Sequence, residues 1–258
     1  MLFTLFSDYM KKYSKIIKYI AIFIPLALLT GFLGVAIWGS FPNLADKEKF
    51  TEAYATDNIT IEDKGNYFAI TPTNINNDTA IIYYPGGRVQ PEAYLYKLAK
   101  IAQQTGWQIF VTKPLFNLAI FSINDADNII KANSSIKNWY LSGHSLGGAM
   151  ACQYLNDKTQ TNLKGIILFG SYCSNDISQK NYKVLSISGS IDGLSTPDKV
   201  KSYEKNLPST KSVIYISGMN HAQNGNYGKQ DGDNEPTISD NEALSLIIQN
   251  ILIFKATL

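Results

Sequence analysis

Gly143-His144-Ser145-Leu146-Gly147-Gly148 lies between two segments of opposite character, and this limits the fold more than any other feature of the chain. Ahead of it, Lys137-Asn138-Trp139-Tyr140-Leu141 has the apolar and aromatic content of a buried strand. Behind it, Ala149-Met150-Ala151-Cys152-Gln153-Tyr154-Leu155 suits a helix. A strand that turns sharply into a helix lifts the Ser145 hydroxyl clear of a sheet. The flanking glycines let the strained turn pass without a side chain striking neighbouring backbone. A bare G-x-S-x-G is weak evidence, and its strand-before, helix-after setting makes it specific.

A serine hydroxyl is a poor nucleophile near neutral pH and needs a base, itself oriented by an acid. The chain has two histidines. His144 sits inside the tight turn, where its ring points away from the Ser145 hydroxyl, so it reads as a packed or hydrogen-bonded group. His221 follows the strand-like Ser212-Val213-Ile214-Tyr215-Ile216 in a short loop and is the candidate base. The acid belongs between serine and histidine. Asp192, just past the strand-like Val184-Leu185-Ser186-Ile187-Ser188, fits the ligand-bearing rim of an open sheet. Asp176 is the alternative acid, whereas Asp198 in Thr196-Pro197-Asp198 reads as a first-turn carboxylate of a helix capped by Thr196.

An oxyanion at the reacting carbon needs two backbone donors. The amide of Leu146, directly after the serine, supplies one. The loop after Ile81-Ile82-Tyr83-Tyr84, which runs Pro85-Gly86-Gly87-Arg88, offers the amide of Gly87 or of Arg88 as the other. Phe116, Leu118 and Phe121, in the apolar stretch 115–121, read either as a pocket for an acyl chain or as ordinary core. The acidic residues Asp231, Asp233 and Glu235 lack calcium-loop spacing and read as a solvated turn.

With these residues in place, the chain resembles the α/β-hydrolase superfamily, in a bacterial branch related to dienelactone hydrolases. The likeness runs from about Asp78 to the C-terminus. It is carried by Tyr84-Pro85-Gly86-Gly87-Arg88-Val89, by Pro114-Leu115-Phe116-Asn117-Leu118-Ala119, by Gly143 to Gly148 and by Asn220-His221-Ala222-Gln223. It implies a serine hydrolase fold bearing the triad Ser145, Asp192 and His221, with no cofactor. Ser145 stands where dienelactone hydrolases carry cysteine, so their lactone substrate is not implied.

The N-terminal part carries a second strong signal. From Tyr19 to Trp38 no residue is charged, and about 20 residues at helical rise span roughly 30 Å of hydrocarbon. Lys11, Lys12, Lys15 and Lys18 precede the run, which places the N-terminus in the cytoplasm and the rest of the chain on the exported side. Tyr19 and Trp38 suit interfacial positions. A cleaved signal peptide competes with this reading. The long charged region, and Trp38 close to the small residues a cleavage site needs, favour an uncleaved anchor. The expected organisation is a cytoplasmic segment 1–18, a transmembrane helix 19–38, a polar linker 39–52 and one catalytic domain over 53–258.

With 45% hydrophobic residues, the part after residue 50 can bury one sizeable core. The net charge of +2 leaves no footprint for nucleic acid outside the N-terminal lysines. Two scattered histidines and two cysteines make no metal cluster. Cys152 and Cys173 read as free buried thiols by default, although an exported domain permits a disulfide. Strand-like segments at 79–84, 107–112, 137–141, 163–169, 183–188 and 212–216 alternate with helical ones, after a hairpin formed by 58–62 and 66–71. This predicts an α/β fold, a mostly parallel sheet covered on both faces. About fifteen residues after Phe169 are too few for a lid, so the site is expected to be open. The expectation is a membrane-anchored carboxylesterase for small or medium acyl esters, its oligomeric state undetermined by the sequence. Acyl transfer by the same triad, or a silent binding domain, are the alternatives.

Overall fold

A computed structural model describes the backbone of residues 2–75 and 78–258 and, outside 2–12 and 15, their side chains. The chain divides into two units, 1–41 and 42–258. The first is built on one helix, α1 (Leu2–Gly39), which continues through Pro25. Within it Ile16–Gly39 is long and apolar enough to cross a membrane. Ile22, Phe23 and Leu28 are among its many exposed apolar side chains. The side chains of Lys11, Lys12 and Lys15 lie outside the described residues.

The second unit begins earlier than the composition predicts. Much of the expected linker 39–52 is folded: α2 (Lys47–Tyr54) is capped by Asp46, whose side chain accepts from Lys49 N at 2.9 Å. Its sequence Lys-Glu-Lys-Phe-Thr-Glu-Ala-Tyr reads as polar because only Ala53 is fully buried, with Phe50 packed against the core beside it. The expected hairpin forms from β1 (Ile59–Asp63) and β2 (Tyr67–Pro72), paired antiparallel with Ile61 opposite Ile70. Its turn is closed by Asp63 Oδ1 accepting from Gly65 N.

The remaining strands are β3 (Thr79–Tyr84), β4 (Gln108–Thr112), β5 (Asn138–His144), β6 (Leu163–Phe169), β7 (Lys183–Gly189) and β8 (Ser212–Ile216). The sheet order is β1-β2-β4-β3-β5-β6-β7-β8, antiparallel at β1 and β2 and parallel from β4 onward. The strand pleat sorts side chains to two faces. Ile81 and Tyr83 pack with Leu98 and Ile101 of α3 (Leu95–Thr105) and Ile247 and Phe254 of the last helix (Asp240–Lys255). Ala80, Ile82 and Tyr84 pack with Ile129 of α4 (Asp125–Ala132) and Ala151 and Leu155 of α5 (Leu146–Asp157). A sheet buried on both faces explains why its strands read as continuous apolar runs. The chain leaves β3 to one side for β4 and returns to the other for β5. The loops after β3 and β5, neighbours in the sheet, therefore lie at a topological switch point, where open sheets of this kind bind ligands.

Candidate active site

Ser145 ends β5 and opens α5 with φ 51° and ψ −122°, a conformation costly for a non-glycine residue, about 1–3 kcal/mol. Packing holds it there. A Cβ on Gly147 would lie 2.1 Å from the Tyr84 carbonyl oxygen, so only glycine lets α5 start this close to β3. Ser145 N donates to Phe169 O at 3.1 Å, and Ser171 Oγ donates to Ser145 O at 2.7 Å. Ser145 and Leu146 are half-buried, whereas His144 before them is wholly buried.

Between those two anchors lies Gly170, in the left-handed region at φ 46°. A Cβ there would come within 3.1 Å of Asp192 Oδ2 and 3.3 Å of His221 Nδ1. Residues 169–171 thus grip the Ser145 backbone on one side and back Asp192 and His221 on the other. Asp192 Oδ2 meets His221 Nδ1 at 2.7 Å, with both side chains buried. Asp192 Oδ1 accepts from Leu194 N at 2.8 Å and Ser195 N at 2.7 Å. A carboxylate that already accepts from two backbone amides accepts from the ring too, so Nδ1–H is the donor in this pair. His221 Nε2 is buried and has no hydrogen-bond partner among the described residues.

His144 is packed and hydrogen-bonded, as its place in the turn predicts. Its Nδ1 lies 3.0 Å from Tyr94 Oη, which also accepts from Gly86 N at 3.0 Å. Its ring packs 4.3 Å from that of His221. Burial, and then the neighbouring His221, hold its pKa well below the ordinary histidine value, so it stays neutral. This histidine braces the loop after β3 against the elbow.

Of the three amides named for the oxyanion, the structure separates one. Arg88 N donates to Asn117 O at 2.8 Å and is spent in holding two loops together. Leu146 N, at the head of α5, and Gly87 N donate to no acceptor among the described residues. The three pocket residues also part company. Leu118 is 3% exposed and lies beneath Gly87 as core, while Phe116 and Phe121 meet edge to face, 6.0 Å apart, at the surface. Asp176 is exposed and closes its own turn by accepting from Ser178 N. Asp198 takes the helix-start position expected of it, after the Thr196 cap. A cleft of about 580 Å³ lined by Asp78, Trp107, Asn138, Lys164 and Lys183 opens at the amino ends of the strands, away from Ser145. Among the described residues no group of His, Cys, Asp and Glu could hold a metal ion.

Residues 80–245 match the alpha/beta hydrolase family. The chain belongs to this family. The narrower kinship to dienelactone hydrolases rests on the quoted motifs alone. An esterase from Pyrobaculum calidifontis has a similar fold, with a TM-score of 0.56 at 14% identity over 80% of this chain and 90% of that one. Carboxyl esterase 2 from Tuber melanosporum gives 0.55 at 12%, over 79% and 87%. An alpha-beta serine hydrolase homologue from Coxiella burnetii gives 0.53 at 15%, over 76% and 98%. No curated protein matches the chain.

Within this alpha/beta hydrolase, three features escape a sequence reading. Cys152 and Cys173 are joined as a disulfide, both wholly buried with Cα atoms 5.5 Å apart, which corrects the expectation of free thiols. Lys97 is 3% exposed and donates to Gln223 O in the turn after His221. Asp233, read as part of a solvated turn, accepts backbone N–H groups from both the acid and the histidine loops. No local pattern announces these contacts, because each partner lies far away in the sequence.

Proposed function

We propose that this protein is a membrane-anchored serine hydrolase, a carboxylesterase that cleaves small or medium acyl esters through an acyl-enzyme on Ser145. One observation carries the reading: His221 is held by Asp192 through Nδ1, with Nε2 unpartnered and its ring packed on the residue that precedes Ser145. That arrangement suits a proton acceptor for a serine hydroxyl.

In the proposed reaction Ser145 Oγ attacks the ester carbonyl carbon as its proton passes to His221 Nε2. The carbonyl oxygen, now an oxyanion, accepts from Leu146 N–H and Gly87 N–H. Collapse breaks the bond to the alcohol, which takes the proton from Nε2 as it leaves. Water then gives a proton to Nε2 and attacks the acyl carbon. The C–O bond to Ser145 breaks, the serine regains its proton and the acid is released. Asp192, bonded to Nδ1–H, steadies the imidazolium.

The esterases among the fold neighbours support the reaction class. The segment 170–182 is too short to carry a substantial lid, which supports an open site for small or medium esters. For the location, the apolar span Ile16–Gly39 follows the N-terminal lysines. The disulfide suits an oxidising compartment, which agrees with export of the catalytic domain.

The test is covalent labelling of the full chain in detergent by a fluorophosphonate probe, beside Ser145→Ala. Labelling of the parent that disappears in the variant is the expected result. A folded parent that stays unlabelled refutes the activated serine.

A further inference from the structure

The ladder between β7 and β8 ends at Gly189 opposite Ile216. Beyond it the two loops run on to Asp192 and to His221 without strand pairing. Yet the 2.7 Å bond between these side chains needs both backbones fixed to a few tenths of an ångström. Among the described residues the direct ties are Ser190 N to Ile216 O at 2.9 Å, Gly218 N to Ser190 Oγ at 3.0 Å and Ile191 N to Met219 O at 3.2 Å, all of them short of Asp192 and His221. The rest of the connection comes from a third segment, 233–234.

Asp233 Oδ1 accepts from Gly193 N at 3.0 Å, next to the acid, and from His221 N at 3.2 Å, the amide of the base itself. It also accepts from Asn234 N at 2.9 Å, and Oδ2 accepts from Ala222 N at 2.9 Å. Asn234 completes the splint: its Nδ2 donates to Ile191 O at 2.9 Å, and its carbonyl accepts from Asn220 Nδ2 at 2.6 Å. A carboxylate is suited to this place because it offers two oxygens and no donor, so four converging N–H groups all find acceptors. An amide would turn an NH2 group toward one set of them. Three of the four donors belong to loops 11 to 40 residues away, more than stabilising its own turn requires.

We infer that Asp233 is a positioning residue that clamps the acid loop to the histidine loop, setting the Asp192–His221 pair in register for proton transfer. It touches the His221 main chain and acts through it. The inference rests on the hydrolase reading for its effect on turnover, and on the geometry alone for its effect on the pair.

The experiment compares the full chain in detergent with Asp233→Asn, with Asn234→Ala, and with Asp231→Asn. The last removes an exposed carboxylate from the same loop, one with no hydrogen bond to either loop among the described residues. Turnover of p-nitrophenyl butyrate gives kcat and KM. The far-downfield proton resonance of the His221 Nδ1–H bond reports the pair directly. For Asp233→Asn, kcat is expected to fall about 10- to 100-fold with KM changed less than about twofold, because a misplaced base is felt in the transition state. The resonance should broaden or vanish, and Asp231→Asn should match the parent. Asn234→Ala should show the same pattern more weakly, and it decides the matter if Asp233→Asn does not fold. An unchanged kcat with the resonance intact in the folded variants overturns the clamp. A parent inert toward both ester and fluorophosphonate overturns the hydrolase reading instead, and the resonance comparison then decides the clamp by itself.

Discussion

Lys97 shows at the residue scale what the sequence hides. It is one of two lysines on α3, with Lys100, yet its ammonium group is buried. It donates to Gln223 O at 2.5 Å, with Asp240 Oδ1 3.6 Å away. Burial lowers its pKa to about 8, and Asp240 offsets part of that shift. Below this value the group is charged in the folded and unfolded chain alike, and folding bears the full cost of desolvating it. From about 8 toward the ordinary 10.5, the folded chain has released a proton that the unfolded chain still holds, so stability rises with pH. Above about 10 the buried Tyr83 and Tyr84, whose pKa values are raised by burial, keep protons that the unfolded chain loses, and the trend reverses. Urea midpoints taken from pH 7.5 to 9.5 should therefore rise for the parent, by on the order of 2 kcal/mol in stability. Lys97→Met should lose that slope. An equal slope in both would show that other groups cause it. The same burial decides a second matter of single residues: Leu118 and Phe121, three positions apart in one apolar run, end as core and surface. Hydrophobicity alone does not separate them.

At the scale of elements, α5 is tied to the sheet by more than packing. Cys152 on its second turn is bonded to Cys173 in the loop after β6, beside Ser171, which holds the serine carbonyl. Closing a loop of this length removes conformational freedom from the unfolded chain, worth about 2–4 kcal/mol. Denaturant unfolding should show the parent weakened by about that amount on reduction, and a Cys152→Ser/Cys173→Ser protein indifferent to reductant. A parent insensitive to reductant after verified reduction would remove this brace from the account. Strands such as β3 and β6 were legible because a sheet covered on both faces demands long apolar runs. Helix α2 was not, because it buries little more than Ala53 and Phe50 and its stability comes from docking.

For the molecule as a whole, the proposed anchor and the catalytic unit meet at a defined point in the sequence. Asn43 N donates to Arg88 O, Gln90 N to Asn43 O and Asp46 N to Asn226 O. The catalytic unit therefore includes its chain from Pro42, and the apolar helix before it is the part to remove. In cells, the full chain should stay with the membrane fraction through alkaline extraction, and a chain lacking residues 1–41 should not. Protease added outside spheroplasts should digest the catalytic unit of the full chain. Protection of that unit would reverse the proposed topology, and release of the full chain by alkali would remove the anchor.

Local physics made much of this protein readable from its sequence. The elbow at Gly143 to Gly148 is a steric pattern within six residues, the strands and helices are periodicities, and Tyr19 to Trp38 is an uninterrupted apolar length. The candidate triad could be named because few histidines compete for the base, and because strand ends mark the rim. The tertiary structure decided whatever depends on two distant segments competing for one partner. Asn117 O takes the Arg88 amide and leaves that of Gly87, Cys152 finds Cys173 across a helix and a loop, and Asp233 collects amides from two other loops. A hydrogen-bond acceptor or a thiol carries no mark in the sequence of which remote group will reach it. Only the packing of the sheet and its helices brings that group within bonding reach.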